Sequence, residues 1–364
     1  MTNQSVTEPV TFTETDLALV EALQVAPRAS WTSVSAALGI GAATAARRWA
    51  RLAAAGAAWV TGGPGVALWN ARCVAFVEVD CVPARRLGVA EALAADRHAL
   101  SVELTTGAAD LFLTVAAADL TALSRYLLER LDRIPGVTAT RVGIATRLYR
   151  DGSSWRLGAL PREAITTLRV PTAAAPVTGP PPGALSADNR ALLVQLGLDG
   201  RSSYAELATA AGISEPTARR HVAQLVRTGA VLLRADVAGA LAGWPVLVYF
   251  SVDVPTSRLT EAARAVSQLR HVRLCATLAG SRPLVVAAWL RDLDEIHRFE
   301  LSLTRMAPGL AVAERMITVR PVKRMGRLLD QHGRAVSAVP MDVWCDPLEP
   351  LRPDSRSSMG RHGR

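Results

Sequence analysis

The chain has 364 residues, enough for roughly two to four domains, and its formal charge of +9 and pI near 10.3 favour a polyanionic partner, nucleic acid ahead of a membrane surface. There is no run of about 20 uncharged apolar residues, Met1–Pro9 lacks signal-peptide character, and Cys73, Cys81, Cys275 and Cys345 show neither CxxC pairing nor metal-ligand spacing. The composition therefore predicts a cytoplasmic chain with free thiols, no membrane span, no metal and no cofactor. Lys323 is the only lysine, and the arginine and alanine content fits GC-rich coding as well as function.

In chain order, Thr15 and Asp16 are expected to cap a helix to about Val25, with Leu17, Val20 and Leu23 on one face. Trp31 to Leu38 and Ala42 to Ala55 complete a three-helix unit, so residues 13–69 read as a helix-turn-helix domain. Its last helix carries Thr44, Arg47, Arg48 and Arg51. The leading Gly41, Ala42 and Ala43 cannot read a base edge, so these arginines are expected to touch phosphate. Trp59 to Trp69, broken by Gly62-Gly63-Pro64-Gly65, predicts a wing-like hairpin or a linking strand.

Residues 73–149 then read β-α-β-β-α-β, with Pro135-Gly136 ending the second helix. That is a ferredoxin-like pattern, in which two helices cover one sheet face and the other face needs a partner. Residues 150–184 lose periodicity and end in a Gly179–Gly183 proline cluster, expected to be a linker. Residues 185–243 form a second helix-turn-helix. Tyr204 to Ala211 is a short helix, Gly212 turns the chain, and Ser214 caps a helix with Pro216 in its first turn. Ala218, Val222 and Leu225 recur at helical spacing, while Ser214, Thr217, Arg219, Arg220 and His221 are the DNA-contact candidates. Residues 244–329 repeat the β-α-β-β-α-β order, and 330–364 is expected to be a basic, largely disordered tail.

A lone helical hairpin with a solvated charged face would look much like either helix-turn-helix. The two copies, however, match without a gap at a constant offset of 173 residues. Arg28 pairs with Arg201, Gly39-Ile40 with Gly212-Ile213, Arg47 with Arg220 and Gly56 with Gly229. The same register runs through Val79-Asp80, His98, Gly107 and Pro135-Gly136, which match Val252-Asp253, His271, Gly280 and Pro308-Gly309. The chain is a tandem duplication. Its expected fold class is α+β, two winged helix-turn-helix units alternating with two ferredoxin-like αβ-sandwich domains.

Each half resembles the Lrp/AsnC (feast/famine) family of transcription regulators. The residues that carry the resemblance are Gly212-Ile213-Ser214 with Arg220, the Thr106-Gly107-x-x-Asp110 turn, and the Pro135-Gly136-Val137 and Pro308-Gly309-Leu310 segments. It covers roughly residues 13–149 and 185–329 and implies a regulator that binds double-stranded DNA, forms homo-oligomers and responds to an amino acid or other small effector. The second domain of each half would be of the family's ligand-binding (RAM) type. The resemblance places that effector at Thr106, Gly107 and Asp110 in the first half and Gly280 in the second, where Pro283 replaces the acid and cannot hold an ammonium group. A tight β-turn needing glycine would show the same Thr106-Gly107 and Ala279-Gly280.

A rival reading is an enzyme. Fused two-copy relatives of this architecture include sirohaem decarboxylases that use histidines of the αβ domain, and His98 and His271 occupy equivalent positions just before a strand. A rim histidine would sit there too, and the aromatic Tyr-Asn-Leu-Trp-Phe strand pattern is replaced by Ala109–Leu113 and Arg282–Val286. No catalytic constellation or phosphate loop is apparent, so a non-enzyme is expected.

Overall fold

The first helix starts at Thr13, whose hydroxyl accepts from the Asp16 N–H (3.2 Å) while the Asp16 carboxylate accepts from the Thr13 N–H (3.1 Å). This capping box fixes α1 (Glu14–Val25), two residues earlier than the sequence suggested. We describe residues 11–168 and 185–349 from a computed structural model. In α2 (Trp31–Leu38), Ser30 caps the start and Gly39, at φ 66°, stops the end before α3 (Ala42–Ala54). The first half continues through β1 (Ala58–Pro64), α4 (Val66–Trp69), β2 (Cys73–Cys81), α5 (Arg86–Ala94), β3 (Ala99–Thr105) and β4 (Leu111–Ala117). It closes with α6 (Leu120–Arg125), wider helical turns over Tyr126–Leu131, β5 (Val137–Arg150) and α7 (Arg162–Leu168).

The second half repeats the order. Its elements are α8 (Ala187–Leu198), α9 (Tyr204–Ala211), α10 (Glu215–Arg227), β6 (Val231–Val237), β7 (Val246–Asp253) and α11 (Leu259–Val266). Then come β8 (Val272–Ala279), β9 (Leu284–Leu290), α12 (Asp294–Met306), β10 (Ala311–Arg324), β11 (Arg327–Leu329) and β12 (Ala335–Ala338).

The open sheet face of each αβ domain finds its partner within the same chain. The long last strands change partner midway: β5 pairs with β2 and then crosses to β8, and β10 pairs with β7 and then crosses to β3. Eight strands therefore close a ring in the order β3-β4-β2-β5-β8-β9-β7-β10. Helices α5 and α6 cover one side through Val89, Leu93 and Leu123, and α11 and α12 the other through Ala263, Phe299 and Leu303. Inside the ring Phe112 packs against Phe76 and Tyr249 at 6.0 and 4.3 Å between ring centres.

Two expectations change and one choice is resolved. Of the Trp59–Trp69 stretch, the part up to Pro64 is the linking strand and the rest ends in the short helix α4: β1 pairs antiparallel with β6, from Ala58↔Val237 to Pro64↔Val231, centred on the equivalent residues Thr61 and Arg234. Of the expected linker, residues 151–168 are packed structure. Trp155 is fully buried, the Gln24 amide oxygen accepts from Leu157 N–H (3.1 Å), and the buried Glu21 carboxylate accepts from Ala159 and Leu160. Helix polar side chains satisfy backbone donors that periodicity alone does not reveal. Of the expected disordered tail, residues 330–349 are also packed. Ala335 N–H donates to Gly56 (2.8 Å), Met341 and Val343 are buried, and Arg190 grips Asp342 through two bonds of 2.7 and 2.9 Å. The remainder of those two segments, 169–184 and 350–364, lies outside the described residues.

Candidate nucleic-acid interface

The two reading heads are clasped by a reciprocal pair. Arg28 donates to the carbonyls of Gly200 and Ser202 (2.8 Å each), and its equivalent Arg201 donates to those of Pro27 (2.7 Å) and Ala29 (3.1 Å). Arg28 also lies over the Tyr204 ring at 4.8 Å, and Arg201 over Trp31, the residue equivalent to Tyr204, at 4.3 Å. With the β1–β6 pairing, this sets one helix-turn-helix against the other about a pseudo-twofold axis. The duplicated arginine was visible in the sequence, but its target was not, because the acceptors are backbone carbonyls.

Each second helix buries one stripe and opens the rest. In α3 the buried positions are Ala45, Trp49 and Leu52, and in α10 Ala218, Val222 and Leu225, so the basic residues lie outward. Arg47 and Arg220, equivalent in the two copies, are exposed and make no ion pair among the described residues. Arg219 is exposed too, but lies over Tyr204 at 4.3 Å and reaches Glu215 at 3.2 Å. Ser214 caps α10 by accepting from Thr217 N–H, and its hydroxyl donates to the Thr217 hydroxyl (2.9 Å). Thr44 is half-buried at the matching place on α3.

Arg48 and Arg51 are tied down. Both pair with Asp16, a carboxylate with no exposed surface, at 3.1 and 2.7 Å. Burial works to raise the Asp16 pKa, but the hydrogen bonds from Thr13, Arg51 and Arg48 outweigh it and leave it below the usual value. In the second copy the same three positions are Asn189, His221 and Gln224. There the ion cluster is gone, and Asn189 Oδ1 and His221 Nδ1 are buried without a partner among the described residues. Sequence reasoning missed Asp16 as the anchor, although the Thr13-x-x-Asp16 capping pattern was there to read.

The effector candidates fall at two separate junctions of the ring. Thr106 both donates to and accepts from the Ile317 backbone on β10 (2.9 and 3.1 Å), and a Cβ on Gly107, at φ 96°, would stand 2.9 Å from Arg315 O. The Asp110 carboxylate is occupied by Cys81 N–H (2.8 Å) and the Arg86 guanidinium (2.8 Å). At the opposite junction a Cβ on Gly280 would stand 3.0 Å from Gly143 Cα. Each turn thus docks on the long last strand of the other half.

The two histidines of the rival reading sit in different surroundings. His98 is buried, stacked on Tyr126 at 5.6 Å and 3.9 Å from Cys345 Sγ, and burial pushes its pKa down to about 4. His271 lies near Trp244 and Phe299 at 5.9 and 6.1 Å, with its pKa also lowered by burial. Among the described residues no group of three or more His, Cys, Asp or Glu side chains is placed to hold a metal, and no helix is long and apolar enough to cross a membrane.

Comparison with known proteins agrees with this geometry. Residues 12–53 match the AsnC-type helix-turn-helix domain, 74–155 the Lrp/AsnC ligand binding domain, and 189–231 a winged helix-turn-helix DNA-binding domain. An uncharacterized HTH-type transcriptional regulator of Pyrococcus abyssi is 30% identical over 139 residues, 38% of this chain and 87% of that protein. The HTH-type transcriptional regulator LrpA1 of Halobacterium salinarum is 27% identical over 106 residues, 29% of this chain and 75% of that protein. Among solved structures, the siroheme decarboxylase NirDL matches 86% of this chain and 93% of its own at 14% identity and a TM-score of 0.50, a likeness of fold alone. With its reading heads, its closed αβ ring and these relatives, the chain belongs to the Lrp/AsnC family of transcription regulators.

Proposed function

We propose that one copy of this chain binds double-stranded DNA sequence-specifically, presenting α3 and α10 to successive major grooves of a site with two unequal halves. The observation that carries this reading is the equivalent pair Arg47 and Arg220, both exposed and free of ion pairs among the described residues, on clasped heads. Ser214, Thr217, Arg219 and His221 support base reading by α10. On α3, Thr44 and Arg47 offer phosphate contact, while Arg48 and Arg51 are held back by Asp16. Binding should be measured by fluorescence anisotropy on the upstream duplex over a range of salt. Arg220→Ala is expected to weaken specific binding by about 1–3 kcal/mol, and Arg47→Ala to weaken all sequences evenly and lower the salt slope by about 1. Unchanged affinity in both variants would remove these helices from the interface.

A small effector fits a chain with this ligand-binding domain. An amino acid held by the Thr106–Asp110 turn would have to displace Arg86 from Asp110. Assembly into homo-oligomers is supported by equivalent exposed leucines on the outer helices, Leu120 with Leu293 and Leu128 with Leu301. We place the protein in the cytoplasm as a non-enzyme. The decarboxylase alternative has the shared tandem fold in its favour, and a new absorbance band on mixing the protein with sirohaem would support it.

A further inference from the structure

The interior of the ring holds five charged side chains that DNA recognition does not use. Glu103, Arg234, Asp236, Arg273 and Arg324 are each more than nine-tenths buried. Burying charge is expensive, and well-packed apolar residues usually serve the fold as well or better. The duplication supplies an internal control. Four of the five have uncharged equivalents in the other half, Leu100 for Arg273, Thr61 for Arg234, Gly63 for Asp236 and Ala276 for Glu103, whereas Arg324 is matched by Asp151. The repeated fold does not itself require those four charges.

The five carry a net charge of +1, with Arg324 acting on Glu103 and Asp236 through its field and not through a close ion pair. Asp236 takes Arg273 at 3.1 Å and Arg234 at 3.4 Å, and Glu103 accepts from Thr318 (3.0 Å) and Tyr249. Asp151, which also lines the interior, accepts from Ser153 at 2.6 Å and interacts electrostatically with Arg150. Arg324 makes no ion pair among the described residues, and its guanidinium rests 5.1 Å from the Trp289 ring centre. Arg324 and Leu247 form the wall between two cavities. The inner one, about 60 Å³, reaches Glu103, Arg234 and Arg273. The outer one, about 260 Å³, is lined by Trp244, Trp289, Pro321, Val319 and His332, and its rim is the Gly239–Pro245 segment joining β6 to β7.

We propose that the outer cleft binds a small aromatic carboxylate, with its ring against the tryptophan and proline wall and its carboxylate on Arg324. The volume lies just below the range of about 300–1,000 Å³ typical of drug-sized ligands, which favours a single-ring molecule. A net charge of +1 among the five groups matches a monoanion, whereas a dianion such as phosphate would leave an excess negative charge beside Glu103 and Asp236. Guanidinium and carboxylate pair through two parallel hydrogen bonds. The proposal rests on the chamber alone and holds whether or not the helices read DNA.

Benzoate is the probe, titrated into the full chain by calorimetry and by tryptophan fluorescence, with benzamide as the neutral isostere and acetate as the ringless anion. Benzoate should bind at least tenfold more tightly than either, and Arg324→Met should weaken it at least tenfold while thermal unfolding shows a folded protein. Should that variant not fold, Val319→Trp, which fills the cleft from an exposed position, should produce the same loss. Absence of benzoate binding to the native chain, or equal binding by benzamide or by a folded variant, overturns the proposal.

Discussion

Asp16 shows how a single carboxylate can decide what neighbouring arginines are free to do. It has no exposed surface and accepts from Arg48, Arg51 and Thr13, so Asp16→Asn removes the charge that restrains two cations on α3. The loss of charged hydrogen bonds should lower stability by about 1–3 kcal/mol. The released arginines should increase DNA affinity at low salt and steepen its salt dependence, which anisotropy titrations at several salt concentrations would read. If affinity falls together with stability, Arg48 and Arg51 contribute only to the fold. His98 supplies the pH-dependent counterpart. Its folded pKa is about 4 against an ordinary 6.5, so the unfolded chain takes up the proton first as pH falls. Its stability contribution is complete above about 6.5 and is lost down to about 4, on the order of 3 kcal/mol. The charges around it are Asp342, Arg97, Asp346 and Lys323. His98→Phe keeps the stack on Tyr126, and it should flatten the denaturant midpoint between pH 7 and 4.5. An unaltered pH profile would show that other groups govern acid unfolding.

At the scale of elements, what could be read from sequence was what is locally periodic. The three-helix units and both β-α-β-β-α-β runs announced themselves through apolar spacing, Gly39 and Gly212 stops, and Pro-Gly breaks. Elements whose partners lie far along the chain did not. The Gly62–Gly65 stretch reads locally as a break, yet Gly62–Pro64 form a ladder with Val231–Leu233, and the glycines permit close approach of the chain around it. A Cβ on Gly65 would lie 2.0 Å from Gly229 O, and one on Gly62 2.7 Å from Leu196 Cβ. Likewise Trp155 and Met341 stand in aperiodic stretches, and only the folded chain shows Trp155 edge-on to Trp244 and Trp289 and the neighbouring Leu157 and Asp342 bonded to Gln24 and Arg190 of the heads. Of the candidate site, the exposed arginines of α10 were legible because helical spacing places them opposite Ala218 and Val222. The restraint on Arg48 and Arg51, and the charged ring interior, depend on contacts no local pattern encodes.

For the whole molecule, the ring makes the two halves one body. The crossings β5–β8 and β10–β3, the β1–β6 ladder and the reciprocal arginines all join one half to the other. The covalent connection between them is therefore not what holds them together. When residues 1–175 and 176–364 are co-expressed as separate chains, they should co-purify at equal ratio and elute at the size of the native protein; recovery of the two pieces at separate elution volumes would show that the connection is essential. Fusion also lets the interior diverge, since no position must serve both sides of a symmetric contact.

The acceptors that receive Arg28 and Arg201 are carbonyls of the main chain, at Gly200, Ser202, Pro27 and Ala29. No change of side chain at those four sites can delete them. Drift there can recolour the surface yet leave the distance between the heads untouched, so under the proposed reading the separation of half-sites is a fixed ruler around which target promoters would have to evolve.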